Sequence, residues 1–235
     1  MTEQTVSKVM VIVAHPDDPE FSAGGTIARW AGEGRQITYV ICTNGNKGSN
    51  DPNMTPDRLA IIREAEQHAA ARVLGVAKIV FLGFNDGELV PSLELRKAIT
   101  RAIRQHRPNV VITSDPTTRY VRQNYINHPD HRAVGDSALD AIYPSARDRL
   151  YFPELLEEGL EPHKVAEVYL SGSTHPDTWV DIEATIDTKV AAILQHKSQI
   201  GDPAKIADWI KQWSVWAAEG QGITYAEAFK RLILQ

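Results

Sequence analysis

Two short segments of this 235-residue chain carry more titratable groups than a turn needs. His15-Pro16-Asp17-Asp18 sets one imidazole beside two adjacent carboxylates, and Asn127-His128-Pro129-Asp130-His131 sets two imidazoles beside a third. Gathered in one place, such groups are costly to desolvate unless a cation neutralises them, which a divalent metal does. A catalytic zinc site takes three His, Asp or Glu ligands and leaves a fourth position for water. The two segments supply that number. Adjacent side chains point apart, so one of Asp17 and Asp18 can ligate while its neighbour faces the water. His128 and His131 can divide in the same way between metal and substrate. The chemistry implied is hydrolysis by water whose pKa zinc lowers to about 7. A third copy of the tripeptide, His175-Pro176-Asp177, lacks the surplus Asp or His and reads as a turn.

The chain must bring these segments together. Apolar runs of strand length alternate with helix-period segments, the pattern of βαβ units and a parallel sheet covered on both faces. Strands are expected over 9–13, 37–42, 78–82, 110–113 and 166–170. Helices are expected over 22–34 with Ser22 as N-cap, over 55–74 between Thr55-Pro56-Asp57 and Gly75, and over 92–106 before Pro108. Another starts near Asp130, and three more cover 182–197, 203–219 and 225–232. The fold class is therefore α/β, a Rossmann-like three-layer arrangement with a mostly parallel sheet and a helical C-terminal third. No linker divides it, so one domain spans 1–235. Ligands of open α/β sheets bind beyond the carboxyl ends of the strands, where both His/Asp segments fall. Trp209, Trp213 and Trp216, spaced four and three apart, read as the buried face of a helix.

Composition narrows the partners. With 25 Lys and Arg against 30 Asp and Glu, the net charge of -5 argues against a nucleic-acid backbone or an anionic membrane. The one cysteine, Cys42, allows no intrachain disulfide and no thiolate cluster, which fits a reducing compartment. The first apolar run, 9–14, is too short for a signal-peptide core or a membrane span, so a cytoplasmic protein is expected. A small-molecule partner follows. Hydrophobic residues make up 43% of the chain and continue beyond the catalytic motifs, so an apolar face buried against a second copy, a homo-oligomer, is also expected.

Ala14-His15-Pro16-Asp17-Asp18, Gly24-Gly25-Thr26, the loop Thr43-Asn44-Gly45-Asn46-Lys47-Gly48, Arg63 and Glu66 ahead of Leu74-Gly75, and His128-Pro129-Asp130-His131 together resemble the LmbE-like, or PIG-L, zinc deacetylases. The resemblance covers about residues 8 to 145, where the catalytic motifs lie. It implies removal of an N-acetyl or similar N-acyl group from an amino sugar or its conjugate, and one zinc, or another divalent transition metal, per chain. By matching position, His15, Asp18 and His131 would be the metal ligands, Asp17 the general base, and His128 the group that meets the tetrahedral intermediate. Asp130, bonded to the other ring nitrogen of His128, would keep that histidine protonated. Arg63, Asp86 in Asn85-Asp86-Gly87, and Asn44 match places that contact substrate. The loops 46–54 and 119–125 would line the mouth. Similar deacetylases are often trimers or hexamers. The chain departs from the pattern at Pro19 and at Ile126, where some members carry tyrosine and this chain has Tyr125 one step away.

Two other classes compete. A metal-dependent phosphoesterase would need five or more ligands around two ions. A nucleotide-binding module would cradle phosphate on Gly24-Gly25-Thr26 at a helix start. A glycosidase is poorly served by adjacent carboxylates such as Asp17 and Asp18, which cannot flank a bond at about 5 to 9 Å.

Overall fold

The computed structural model describes residues 7–121 and 123–235. The expected strands form: β1 (Lys8–Val13), β2 (Gln36–Thr43), β3 (Lys78–Phe84) and β4 (Val110–Ser114), joined by helices α1 (Asp18–Gly32), α2 (Pro56–Leu74) and α3 (Leu93–His106). A two-stranded hairpin, β5 (Tyr120–Val121) and β6 (Tyr125–Ile126), precedes α4 (Pro129–Asp140). Then come the short α5 (Glu154–Glu157), β7 (Glu167–Ser171), β8 (Thr178–Asp181), α6 (Ile186–Ile193), α7 (Pro203–Ala217) and β9 (Ala226–Ile233). Among the described residues the main sheet has seven strands in the order β3-β2-β1-β4-β7-β9-β8. β9 runs antiparallel to both its neighbours, and the other ladders are parallel.

The central strand shows why the layers form. Successive side chains of a strand point to opposite faces. In β1, Met10 and Ile12 pack with Leu95, Ile99 and Val134 of α3 and α4, while Val9, Val11 and Val13 pack with Ile27, Ala70 and Ala192 of α1, α2 and α6. Both faces are covered, which gives three layers. The caps follow the sequence: Thr55 and Ser92 accept from the backbone at the starts of α2 and α3, and Gly75 closes α2 in the left-handed region at φ 75.

The C-terminal third departs from expectation. The segment over 225–232, rich in helix-forming Ala, Glu, Lys and Leu, is the strand β9, because β7 and β8 pair with its backbone from both sides. Tertiary pairing there outweighs local propensity. β8 is a strand the periodicity missed, and α6 is half the expected length. The C-terminal third is thus mixed rather than helical. α7 forms as expected but turns Ile210 and Ser214 inward, leaving Trp209, Trp213 and Trp216 exposed at 43%, 54% and 54%. The tryptophans are therefore surface rather than core.

The first helix also starts early. α1 begins at Asp18 rather than Ser22 and breaks at Ala23, where φ is -150. Past the break, the N–H groups of Gly25 and Thr26 donate to the Glu227 carboxylate at 2.9 and 2.7 Å. Lys189 Nζ pairs with the same carboxylate, and both charges are buried. The helix start proposed for phosphate already holds an anion of the chain's own.

Candidate active site

The site lies where β1 and β4 end. β1 delivers His15 into the protein, 7% exposed. Asp17 then takes a left-handed backbone at φ 92, and Asp18 opens α1. The two adjacent carboxylates separate. Asp18 turns to the imidazoles, with Oδ2 3.3 Å from His15 Nδ1 and Oδ1 3.1 Å from His131 Nε2. Asp17 turns to Arg63, its Oδ2 3.2 Å from Nη2.

The second segment enters through α4. Pro129 occupies its first turn, and the N-cap is His128, whose Nδ1 accepts from the Asp130 N–H at 3.2 Å. His131, one turn on, reaches Asp18. The imidazole centroids of His15 and His128 lie 4.6 Å apart, and those of His15 and His131 lie 5.3 Å apart.

Ligand atoms of His15, Asp18 and His131 all lie within 4.8 Å of one another. Two imidazole nitrogens and a carboxylate oxygen are the donors of a catalytic zinc-type site. Neighbours fix the tautomers. Asn127 Nδ2 donates to Thr118 O at 2.7 Å, which leaves its Oδ1 to accept from His131 Nδ1 at 3.1 Å and turns His131 Nε2 toward Asp18. Asp130, fully buried and held by the Gly87 and Leu89 N–H groups, faces His15 Nε2 at 3.2 Å, with Asp86 Oδ1 3.1 Å from the same nitrogen. A carboxylate behind a ligating histidine orients it and raises its basicity.

The electrostatics fit a cation. Burial opposes charge on His15, yet Asp18, Asp130 and Asp86 together push it up to about 12. Burial likewise opposes charge on His131, and Asp18 raises it. Asp18 is held well below the usual carboxylate range despite its burial, chiefly by those two histidines. The anionic cluster draws protons onto its imidazoles, and a divalent ion supplies the same charge. Asp17 differs: burial, only partly offset by Arg63, pushes its carboxyl up to about 6.

The structure shows what surrounds the other residues singled out in the sequence. The Asp130 carboxylate faces His15 and the loop after β3, the Asp130 N–H donates to His128 Nδ1, and its charge favours a proton on His128. Burial and then the charge of His15 pull His128 below its ordinary value. Arg63, 4% exposed, donates to Pro16 O at 2.5 Å and Gly45 O at 3.0 Å besides pairing with Asp17, and so braces the loop. Gly45, at φ 61, leaves room for this: a Cβ there would sit 2.6 Å from the guanidinium. Asp86 turns Oδ1 to His15, and its Oδ2 accepts from the Lys47 N–H at 3.4 Å. Asn44 is half-buried, and its buried Oδ1 has no hydrogen-bond partner among the described residues. His175 is exposed, and Asp177 pairs with Lys230 away from the site.

At the mouth, Asn46 joins the loop after β2 to Asn85 and Asp86. In the loop over 119–125, Arg122 lies outside the described residues. Tyr125 is half exposed, and burial followed by the charge of Asp18 pushes its hydroxyl up, which places it in the field of the ligand cluster. Sequence reasoning gave no role to Asn127 or to Gln67. The first stands beside the second motif, and the second lies one turn past Arg63 on the same helix face, so spacing could have found both.

The model of the family PIG-L: GlcNAc-PI de-N-acetylase matches residues 10–142. The chain is 33% identical over 211 residues to the diacetylchitobiose deacetylase of Thermococcus kodakarensis, covering 90% of this chain and 74% of that one. It is 29% identical over 250 residues to the 1D-myo-inositol 2-acetamido-2-deoxy-alpha-D-glucopyranoside deacetylase of Rhodococcus erythropolis, covering 83% of this chain and 82% of that one. Among solved structures, the N,N'-diacetylchitobiose deacetylase of Pyrococcus horikoshii superposes with a TM-score of 0.90 at 32% identity, covering 98% of this chain and 85% of that one.

Proposed function

The chain belongs to the PIG-L family, and from that premise we propose that it is a metal-dependent deacetylase that hydrolyses the N-acetyl, or a similar N-acyl, amide of an N-acetylglucosamine-type sugar or its conjugate. The observation that carries this reading is the division of labour between Asp17 and Asp18. One carboxylate joins His15 and His131 as a donor set, and its neighbour stands outside that set beside Arg63.

His15, Asp18 and His131 would hold a divalent ion, zinc being the first choice, which would supply Lewis acidity toward an amide carbonyl and a water nucleophile near neutral pH. Asp17 receives the proton of the attacking water. Its buried carboxyl, drawn up to about 6, is matched to taking a proton near neutrality and giving it to the departing amine. His128 has its Nδ1 occupied by the Asp130 N–H and leaves Nε2 to donate to the oxygen that gains charge. Asp130 and Asp86 orient His15, and Asn127 orients His131. Asn44, with the loops over 46–54 and 119–125, lines the sugar side of the site.

The same proposal takes 1–235 as a single domain. Exposed Trp209, Trp213 and Trp216 support burial of α7 against further copies, as a trimer or hexamer. Buried Cys42 supports a reducing, cytoplasmic setting. No described helix is long and apolar enough to cross a membrane. Light scattering tests the assembly: a mass of 26.1 kDa at micromolar concentration removes it.

The activity is tested by amine release across N-acetylated mono- and disaccharides, inositol and malate glycosides of N-acetylglucosamine, and a phosphomonoester control, each with and without chelator. Chelator-sensitive amine release with an inert phosphoester is expected. Phosphate release without amine release would overturn the reading.

A further inference from the structure

Behind Asp17 lies a chain of three buried polar side chains with no place in the chemistry above. The Asp17 N–H donates to Gln67 Oε1 at 2.8 Å. Gln67 Nε2 donates to both Glu20 oxygens, at 3.0 and 3.1 Å, and Glu20 Oε2 lies 3.0 Å from His196 Nε2. Gln67, Glu20 and His196 are each 0% exposed. They come from three elements: Gln67 from α2, Glu20 from the first turn of α1, and His196 from just past α6.

We propose that Gln67, set by Glu20 and His196, is a positioning residue that holds Asp17 in its left-handed backbone and so keeps the general base apart from the ligand set. The inference rests on the deacetylase reading for the role of Asp17.

The chemistry of the chain gives it one arrangement. A backbone N–H only donates, so the Gln67 amide must present its oxygen to Asp17 and its NH₂ to the two Glu20 oxygens. A free glutamine can flip its amide, but this one cannot without setting oxygen against oxygen. An imidazole N–H from His196 anchors Glu20 in turn. The result is an acceptor fixed where Asp17, at φ 92, places its N–H. An L-residue adopts that backbone only when its surroundings over-determine it.

Arg63 stands one helical turn before Gln67. α2 therefore grips Asp17 at both ends, the peptide N–H by Gln67 and the carboxyl by Arg63. None of Gln67, Glu20 or His196 reaches solvent, and their hydrogen bonds run in series to the Asp17 N–H. Buried polar groups with a purely packing role can often be exchanged for apolar ones at little cost. Here three in series end on the one strained residue beside a metal ligand.

The test compares Gln67→Leu, Glu20→Gln and the double variant with wild type, by crystal structure, metal content, kcat and KM. In Gln67→Leu we expect wild-type metal content, unchanged KM, a kcat lower by about 10- to 100-fold as for other supporting-shell losses, and an Asp17 that has left the left-handed region. Glu20→Gln, which keeps the shape but lets the Gln67 amide turn, lowers kcat by a smaller factor. The double variant loses no more kcat than Gln67→Leu alone, because the hydrogen bonds from Glu20 reach Asp17 through Gln67. The proposal is overturned if Asp17 keeps its φ in Gln67→Leu, if kcat is unchanged, or if the losses add. Should Gln67→Leu not fold, Glu20→Gln decides by the same measurements. A wild type that releases no amine refutes the deacetylase reading, while the Asp17 backbone in the variants still decides the positioning claim.

Discussion

Asn127 Oδ1 accepts from His131 Nδ1 at 3.1 Å, and because the Asn127 amide nitrogen is committed to Thr118 O at 2.7 Å, the histidine can present only Nε2 to Asp18 and the metal position. The hairpin loop, rather than the helix that carries His131, sets that ligand's tautomer. Asn127→Ala is expected to weaken metal binding by about 10- to 100-fold with the fold intact. Competition against a chromophoric chelator reads this directly, and an unchanged dissociation constant would remove Asn127 from the site.

Asp17 should separate binding from chemistry. Asp17→Asn keeps all three ligands, so metal content is expected to stay at the wild-type level while kcat falls by about 10²- to 10⁴-fold, the usual contribution of a general base. Elemental analysis beside turnover checks it. Metal lost together with activity would make Asp17 a ligand.

Arg63→Ala follows from the brace rather than from substrate contact. With the Pro16 and Gly45 carbonyls and the Asp17 carboxyl released together, kcat is expected to fall with KM little changed. A raised KM at constant kcat would return Arg63 to the substrate.

Protons and metal compete for the same charge. In the metal-free protein His15 is raised from 6.5 to about 12, so its contribution to stability is fully present below pH 6.5 and is lost as pH climbs toward 12. A bound ion must displace that proton and the one favoured on His131. Metal affinity should therefore rise with pH above neutrality, and calorimetry in buffers of different ionisation enthalpy should show proton release. Binding without proton release would contradict this electrostatic picture.

Glu227 links the last strand to the first helix. Glu227→Ala leaves buried Lys189 unpaired and the Gly25 and Thr26 N–H groups without an acceptor. Breaking one side of a buried pair costs about 3 to 5 kcal/mol, so a large drop in Tm is expected, with ligand spacing intact in what remains folded. A Tm within a degree or two of wild type would show the pair to be dispensable.

Much of this was legible in the chain. The two His/Asp segments and the strands ahead of them are local features, and a titratable surplus at the carboxyl end of a parallel strand is a signal that spacing preserves. What spacing does not preserve is the direction of a side chain whose partner is remote. Spacing marks Arg63 for the site, but only the fold shows Nη1 closing on Gly45 and Nη2 on Pro16 and Asp17. Asp130 reads as the companion of His128, its near neighbour, yet it faces His15 across 115 positions. β9 failed for a related reason. Its Ala, Glu, Lys and Leu favour helix locally, and only β7 and β8 on either side make it a strand.

The central claim, one hydrolytic metal position formed by His15, Asp18 and His131, is tested most directly by adding zinc back to the stripped protein and following acetate release from an N-acetylglucosamine disaccharide. Release should be absent at first, rise in proportion to added ion, and level off at one equivalent per chain, with His131→Ala flat throughout. Acetate release by the stripped protein, or a His131→Ala curve that overlays wild type, would contradict the account.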